Sequence, residues 1–167
     1  MAEATVTTTP TTEVKKNTPV FAIQKVYLKE MSFEQPNSPA IFLEREEAKV
    51  EISIETSYEK INDGIYESLL RGTIKSKIGD KVVFNVSAEQ AGIFEVRNIP
   101  EEQFEPSMQI NCPTVLLPAL RYNIADLINR AGFPPINIAE MNFNNMYQQK
   151  LAQEKEVADK AATPASA

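Results

Sequence analysis

The stretch NCPTVLLPALRYNIADLINRAGFPPINIAEMNF, residues 111–143, decides the fold. Pro113 fits a first helical position, where its missing N–H costs nothing. Val115, Leu116, Leu117, Leu120, Ile124, Leu127 and Ile128 then cover far more than the ~100° stripe of an ordinary amphipathic helix. Such a helix needs cover on most of its sides, and one sheet face in a small monomer covers one. Pro118 removes the bond to the Thr114 carbonyl, so the first turn is expected to be kinked or not α-helical. Gly132 can take a left-handed terminal position, and Pro134-Pro135 prevents continuation. Asn142 is a good N-cap for a second helix, on which Phe143, Met146, Tyr147, Lys150 and Leu151 share a face.

Before this stretch the chain reads as strands. Between residues 20 and 33 a period of two puts Phe21, Ile23, Tyr27, Met31 and Phe33 on one face and Val26, Leu28, Glu30 and Glu34 on the other. Gln35-Pro-Asn-Ser-Pro39 breaks that strand. Residues 49–58 alternate cleanly, with Val50, Ile52, Ile54 and Tyr58 on one side. Asn62-Asp63-Gly64 and Gly79-Asp80 mark turns around a third strand, and a fourth runs to about Gln90. On it Val82, Phe84, Val86 and Ala88 oppose Asn85, Ser87 and Glu89. Four strands joined by short turns predict an antiparallel meander.

Residues 1–19, rich in Thr and with little to bury, are expected to be a disordered arm, and residues 157–167 a disordered tail. Residues 20–156 form the single folded domain. The net charge of −6 argues against nucleic acid, whose binding needs clustered Lys and Arg. No signal peptide or membrane-length apolar run is visible, and a single cysteine, Cys112, forms no intramolecular disulfide; a cytoplasmic location is expected. The chain has no histidine, which removes the commonest general base and metal ligand. Cys112 lacks a second thiolate for zinc and reads as packing beside Pro113. Glu30 with Glu34, and Glu51 with Glu55, would sit about 13 Å apart on a strand, wider than the roughly 5–9.5 Å of hydrolytic carboxylate pairs. No enzyme, metal or cofactor is expected.

Three blocks, FAIQKVYLKEMSFEQPNSP (residues 21–39), QAGIFEV (90–96) and NCPTVLLPALR with GFPPINIAEMNF (111–143), resemble the SecB family of protein-export chaperones in order and spacing. The resemblance implies an α+β fold: a four-stranded antiparallel sheet with a long helix and a second C-terminal helix on one side. It implies a homotetramer, a dimer of dimers, in which the long helix lies buried between subunits. It implies an ATP-independent chaperone that binds unfolded precursor proteins, keeps them translocation-competent and delivers them to the SecA motor. The positions matching the client-binding groove are Val50, Ile52, Ile54, Met146, Tyr147 and Leu151, although the same spacing would also serve an ordinary core. Glu30 and Glu34 match the acidic patch that docks SecA. Asn85 and Ser87 depart from the family's apolar residue and glutamate on the fourth strand, and Glu140 stands where proline is usual. The departures on the fourth strand admit an alternative, a SecB-like general holdase or toxin–antitoxin-linked chaperone with weakened SecA docking.

Overall fold

A computed structural model describes residues 18–162 of the chain. Its elements are β1 (Val20–Glu34), a short 3₁₀ turn (Ala40–Leu43), β2 (Lys49–Asn62), β3 (Ile65–Ile78), β4 (Lys81–Arg97), α1 (Glu101–Pro106), a π-helical turn (Ser107–Asn111), α2 (Cys112–Arg130) and α3 (Phe143–Ala162). The expected N-terminal arm lies, except for its last two residues, outside the described residues, as do residues 163–167. The tail expected from Val157 begins instead as helix, because α3 continues to Ala162. Its Ala and Lys residues are strong helix formers and extend the helix without an apolar stripe.

The strands form one antiparallel sheet in the order β1-β4-β3-β2. Gly64 (φ 67°) and Gly79 (φ 57°) close the two tight hairpins with the left-handed backbone that glycine permits. Only β2, β3 and β4 make the expected meander. β1 pairs with β4, from Val20 opposite Arg97 to Glu34 opposite Asn85, and returns to β2 through the long segment 35–48. This is a Greek-key order, and the Pro-rich break after β1 is a crossover rather than a hairpin.

Directly opposed residues share a face, so the register defines two surfaces. Phe84, Val86, Ala88, Gln90, Gly92, Phe94 and Val96 of β4 face the helices, and all are buried. Asn85, Ser87, Glu89, Ala91, Ile93 and Glu95 face outward. β4 runs seven residues past Gln90, its expected end, because the Ala-Gly pair inside it serves close packing rather than a turn. Near its start a bulge pairs Val82 with Lys77 and buries Val83, correcting the placement of Val82 beside Phe84.

Two bulges in β1, between Ile23 and Lys25 and between Leu28 and Glu30, overturn the simple alternation expected there. Each adds an unpaired residue and flips the phase of the residues beyond it. Phe21, Ile23, Val26, Leu28, Met31 and Phe33 consequently all oppose helix-facing residues of β4, whereas Lys25, Tyr27, Glu30, Ser32 and Glu34 oppose outward ones. Tyr27 thus leaves the apolar face, and Val26 and Leu28 join it.

The helical part starts earlier than the sequence indicates. α1, the π turn and α2 follow one another without a break from Glu101 to Arg130. Pro106 and Pro113 disguise the first segment. The irregular turn falls before Pro113 rather than at Pro118: Cys112 N–H bonds Ser107 O, five residues back, so the wider turn absorbs the donor that proline lacks. α2 then passes regularly through Pro118. Leu116, Leu117, Leu120, Ile124 and Ile128 are buried, and α2 packs on β4 and β3. Pro118 and Tyr122 point away, Tyr122 being 71% exposed. The helix ends as expected, with Gly132 at φ 92° and Phe133 N–H bonded to Ile128 O at 3.2 Å. Asn142 caps α3, its Oδ1 accepting from Asn145 N–H at 3.1 Å.

Two measurements check this packing. A Cβ added at Gly92 would come within 2.7 Å of Phe94 Cε2 and 2.9 Å of Leu116 Cδ2, both side chains fully buried. Gly92→Ala is therefore expected to destabilise the fold by about 1–3 kcal/mol, read as a lower urea midpoint. Burial pushes the Cys112 thiol up to about 12 and leaves it fully inaccessible. Its thiolate is absent at pH 8, so Ellman's reagent should react with it only after denaturant unfolds the chain.

Candidate functional site

A cleft of about 260 Å³ opens between the β2 edge of the sheet and the first turns of α3. Ile54, Thr56, Phe143, Met146 and Tyr147 line it, with Gln109 of the π turn and with Glu55 and Lys150. Its polar side is tied down. Thr56 Oγ1 donates to Gln109 Oε1 at 3.1 Å, and Gln109 Nε2 donates to Glu105 Oε1 at 3.2 Å. Tyr58 OH donates to Glu105 Oε2. Burial, and then this bond, pushes the Tyr58 phenol up to about 12. The network fixes β2 against the π turn and leaves the apolar side chains of the cleft unconstrained by hydrogen bonds.

Ile54, Met146 and Tyr147 are thus brought together, three of the six residues expected to form a groove. Val50 and Ile52 lie on the same face of β2 but outside the cleft, 41% and 46% exposed. Leu151 is half-buried one turn further along α3 and does not line it.

The opposite edge carries a surface that the sequence reading missed. Phe21, Ile23, Val26, Leu28 and Met31 of β1 form an apolar row on the helix-facing side, each 38–49% exposed. α2 packs chiefly on β4 and β3, so this row is only half covered. The signal was present in the sequence: apolar positions 21, 23, 26, 28, 31 and 33 are spaced by alternating steps of two and three, and each step of three is a bulge.

On the outer face Glu30 and Glu34 stand on the same side of β1, as expected. Glu30 opposes Glu89, and Glu34 opposes Asn85. Arg71 of β3 partly neutralises this group, with Nη2 at 2.7 Å from Glu89 Oε2 and 4.0 Å from Glu30 Oε2. Among the described residues Glu34 has no ion-pair partner. Asn85 and Ser87, both uncharged, occupy the middle of this surface.

Among the described residues no helix is long and apolar enough to cross a membrane, and no three His, Cys, Asp or Glu side chains gather as a metal site would require.

The family profile described as "Preprotein translocase subunit SecB" matches residues 14–154. The protein-export protein SecB of Burkholderia vietnamiensis is 52% identical over 149 residues, covering 89% of this chain and 94% of the relative. That of Paraburkholderia phymatum is 55% identical over 139 residues, covering 83% of this chain and 89% of the relative. Among solved structures, the SecB-like chaperone of Mycobacterium tuberculosis, in complex with a peptide from an antitoxin, superposes with a TM-score of 0.58 at 15% identity, over 72% of this chain and 90% of that one. It shares the fold. The four-stranded sheet, the long helix with its early prolines and these relatives at half identity agree: the chain belongs to the SecB family.

Proposed function

We propose that this protein is an ATP-independent chaperone of protein export, which binds unfolded precursor proteins in the cytoplasm and delivers them to the SecA motor. One observation carries the reading. Both edges of the sheet expose apolar side chains on the helix-facing side, Phe21 to Met31 on β1 and Val50 and Ile52 on β2. A lone folded domain rarely leaves so much contiguous apolar surface uncovered.

The two edges serve different partners. The β1 row, the bare strand edge beside it and the exposed Pro118–Tyr122 side of α2 suit further copies of the same chain, assembled as a homotetramer, a dimer of dimers. The cleft holding Ile54, Met146 and Tyr147, continued by Val50, Ile52 and Leu151, suits extended client segments. Methionine and tyrosine adapt to many apolar side chains without reading sequence. Each such side chain contributes about 1.5–3 kcal/mol at most, so a client is held at many sites along its length. Glu30 and Glu34 supply an acidic docking surface for SecA on the outer face, opposite the apolar row of the same strand.

Asn85 and Ser87, uncharged at the centre of that surface, favour a second reading, a SecB-like general holdase or toxin–antitoxin-linked chaperone whose SecA docking is weakened. Titration with the C-terminal zinc domain of SecA separates the two, since absence of binding supports the second.

Size-exclusion chromatography with light scattering is expected to give a tetramer at micromolar concentration; a monomer would contradict the assignment of the β1 and α2 surfaces. The protein should slow aggregation of a chemically denatured protein without ATP. Glu30→Gln with Glu34→Gln should weaken SecA binding and reduce its salt dependence while leaving that anti-aggregation activity intact. Loss of both activities would show that the acidic patch is misassigned.

A further inference from the structure

The outer face, which no helix among the described residues covers, nevertheless contains a buried charge. Glu67 of β3 is 5% exposed. Its carboxylate accepts from Lys29 Nζ at 2.8 Å through Oε2 and from Tyr27 OH through Oε1. Both donors belong to β1, so the contact spans the intervening strand β4. Ala91 of β4, opposite Tyr27 on this face, is fully buried, and its small side chain leaves room for the bridge. Burial by itself would raise the Glu67 carboxyl, but the bonds from Lys29 and Tyr27 outweigh it and hold the group below the ordinary carboxylate range.

The location of this contact is informative. It grips β1 at Tyr27, within the segment between the two bulges, and at Lys29, the unpaired residue of the second bulge. A strand normally keeps its phase because one face is buried. Phe33, stacked on Phe84, supplies that anchor beyond the second bulge. Between the bulges the anchor is weak, since Val26 and Leu28 are 40% and 41% exposed. A slip of one residue there would shift one bulge to the other end of the segment, leaving two unpaired residues together, and would turn Val26 and Leu28 outward and bring Tyr27 with Lys25 or Lys29 onto the apolar side. Burial in the single chain opposes that slip only modestly, whereas breaking the Glu67 contact leaves a desolvated carboxylate unpaired, which is costly.

We propose that Glu67 is a positioning residue: by holding Tyr27 and Lys29 on the outer face, it fixes the phase of β1 between its bulges and so presents Val26 and Leu28 on the apolar edge. The functional consequence rests on the reading of that edge as a self-association surface, but the positioning itself does not.

Disulfide trapping in a Cys112→Ala background tests it. One variant carries Lys25→Cys with Ile93→Cys, a directly opposed pair between the bulges; the other carries Ser32→Cys with Ser87→Cys, an opposed pair beyond them. With Glu67 present, both pairs should oxidise readily, since opposed strand residues lie within disulfide reach. Glu67→Gln should abolish the first crosslink and retain the second. Retention of both overturns the proposal, because the phase would then be held without Glu67. Loss of both also overturns it, because Glu67 would then hold the whole strand rather than its phase. If Glu67→Gln does not fold, Lys29→Met removes the ionic half of the contact and is read in the same way. Light scattering on the same variants separates the two levels: loss of the first crosslink with an unchanged tetramer would leave the positioning intact and sink the role of the β1 row in assembly.

Discussion

One helix is too narrow for this sheet. An α-helix is about 10 Å across, and strands lie roughly 4.8 Å apart, so a single helix covers about two strands of four. α2 takes the middle pair, β3 and β4, and the core is packed between them and the helix. The edge strands are left half-covered, and α3 and the 3₁₀ turn shield only parts of them. The proposed client and assembly surfaces both lie where that cover falls short. Bare apolar edges, which would be a liability in a solitary enzyme, are surfaces on which other chains can be held.

The two edges are built differently. β2 is regular along its pairing with β3 up to Lys60, and its apolar residues follow plain alternation. β1 reaches the same sidedness only through two bulges. Without them, Glu30 and Glu34 could not face outward while Phe21, Val26, Leu28 and Phe33 all face the helices. The separation of acidic and apolar surfaces on β1 is therefore a property of its irregularities rather than of its average pattern.

Features set by adjacent residues were legible in the sequence. The hairpins at Gly64 and Gly79, the Asn142 cap and the Gly132 stop each depend on a few neighbouring residues, and each stands where the residues indicate. The sheet order was not legible, because pairing of β1 with β4 depends on contacts far apart in the chain. The helix from Glu101 was hidden by Pro106 and Pro113, which the π turn accommodates by a widened backbone. The faces of β1 were misread because a period of two was imposed across steps of three. For the groove, spacing on α3 brought Met146 and Tyr147 correctly onto one face, but their approach to Ile54 is a tertiary fact. Glu67 gave no sign at all: its partners lie two strands away, and an isolated glutamate in a strand reads as a solvated one.

The strand order also sets a timetable. β1 leaves the ribosome before the other strands, yet its hydrogen-bonding neighbour among the described strands, β4, is made last of the four. The hairpins of β2, β3 and β4 can close as they emerge, because their contacts are local, while β1 waits for a partner that is still being synthesised. During that interval its apolar side chains and backbone edge are as unprotected as those of any nascent chain. A protein of this family thus passes, early in its own synthesis, through the condition from which it would later shelter others.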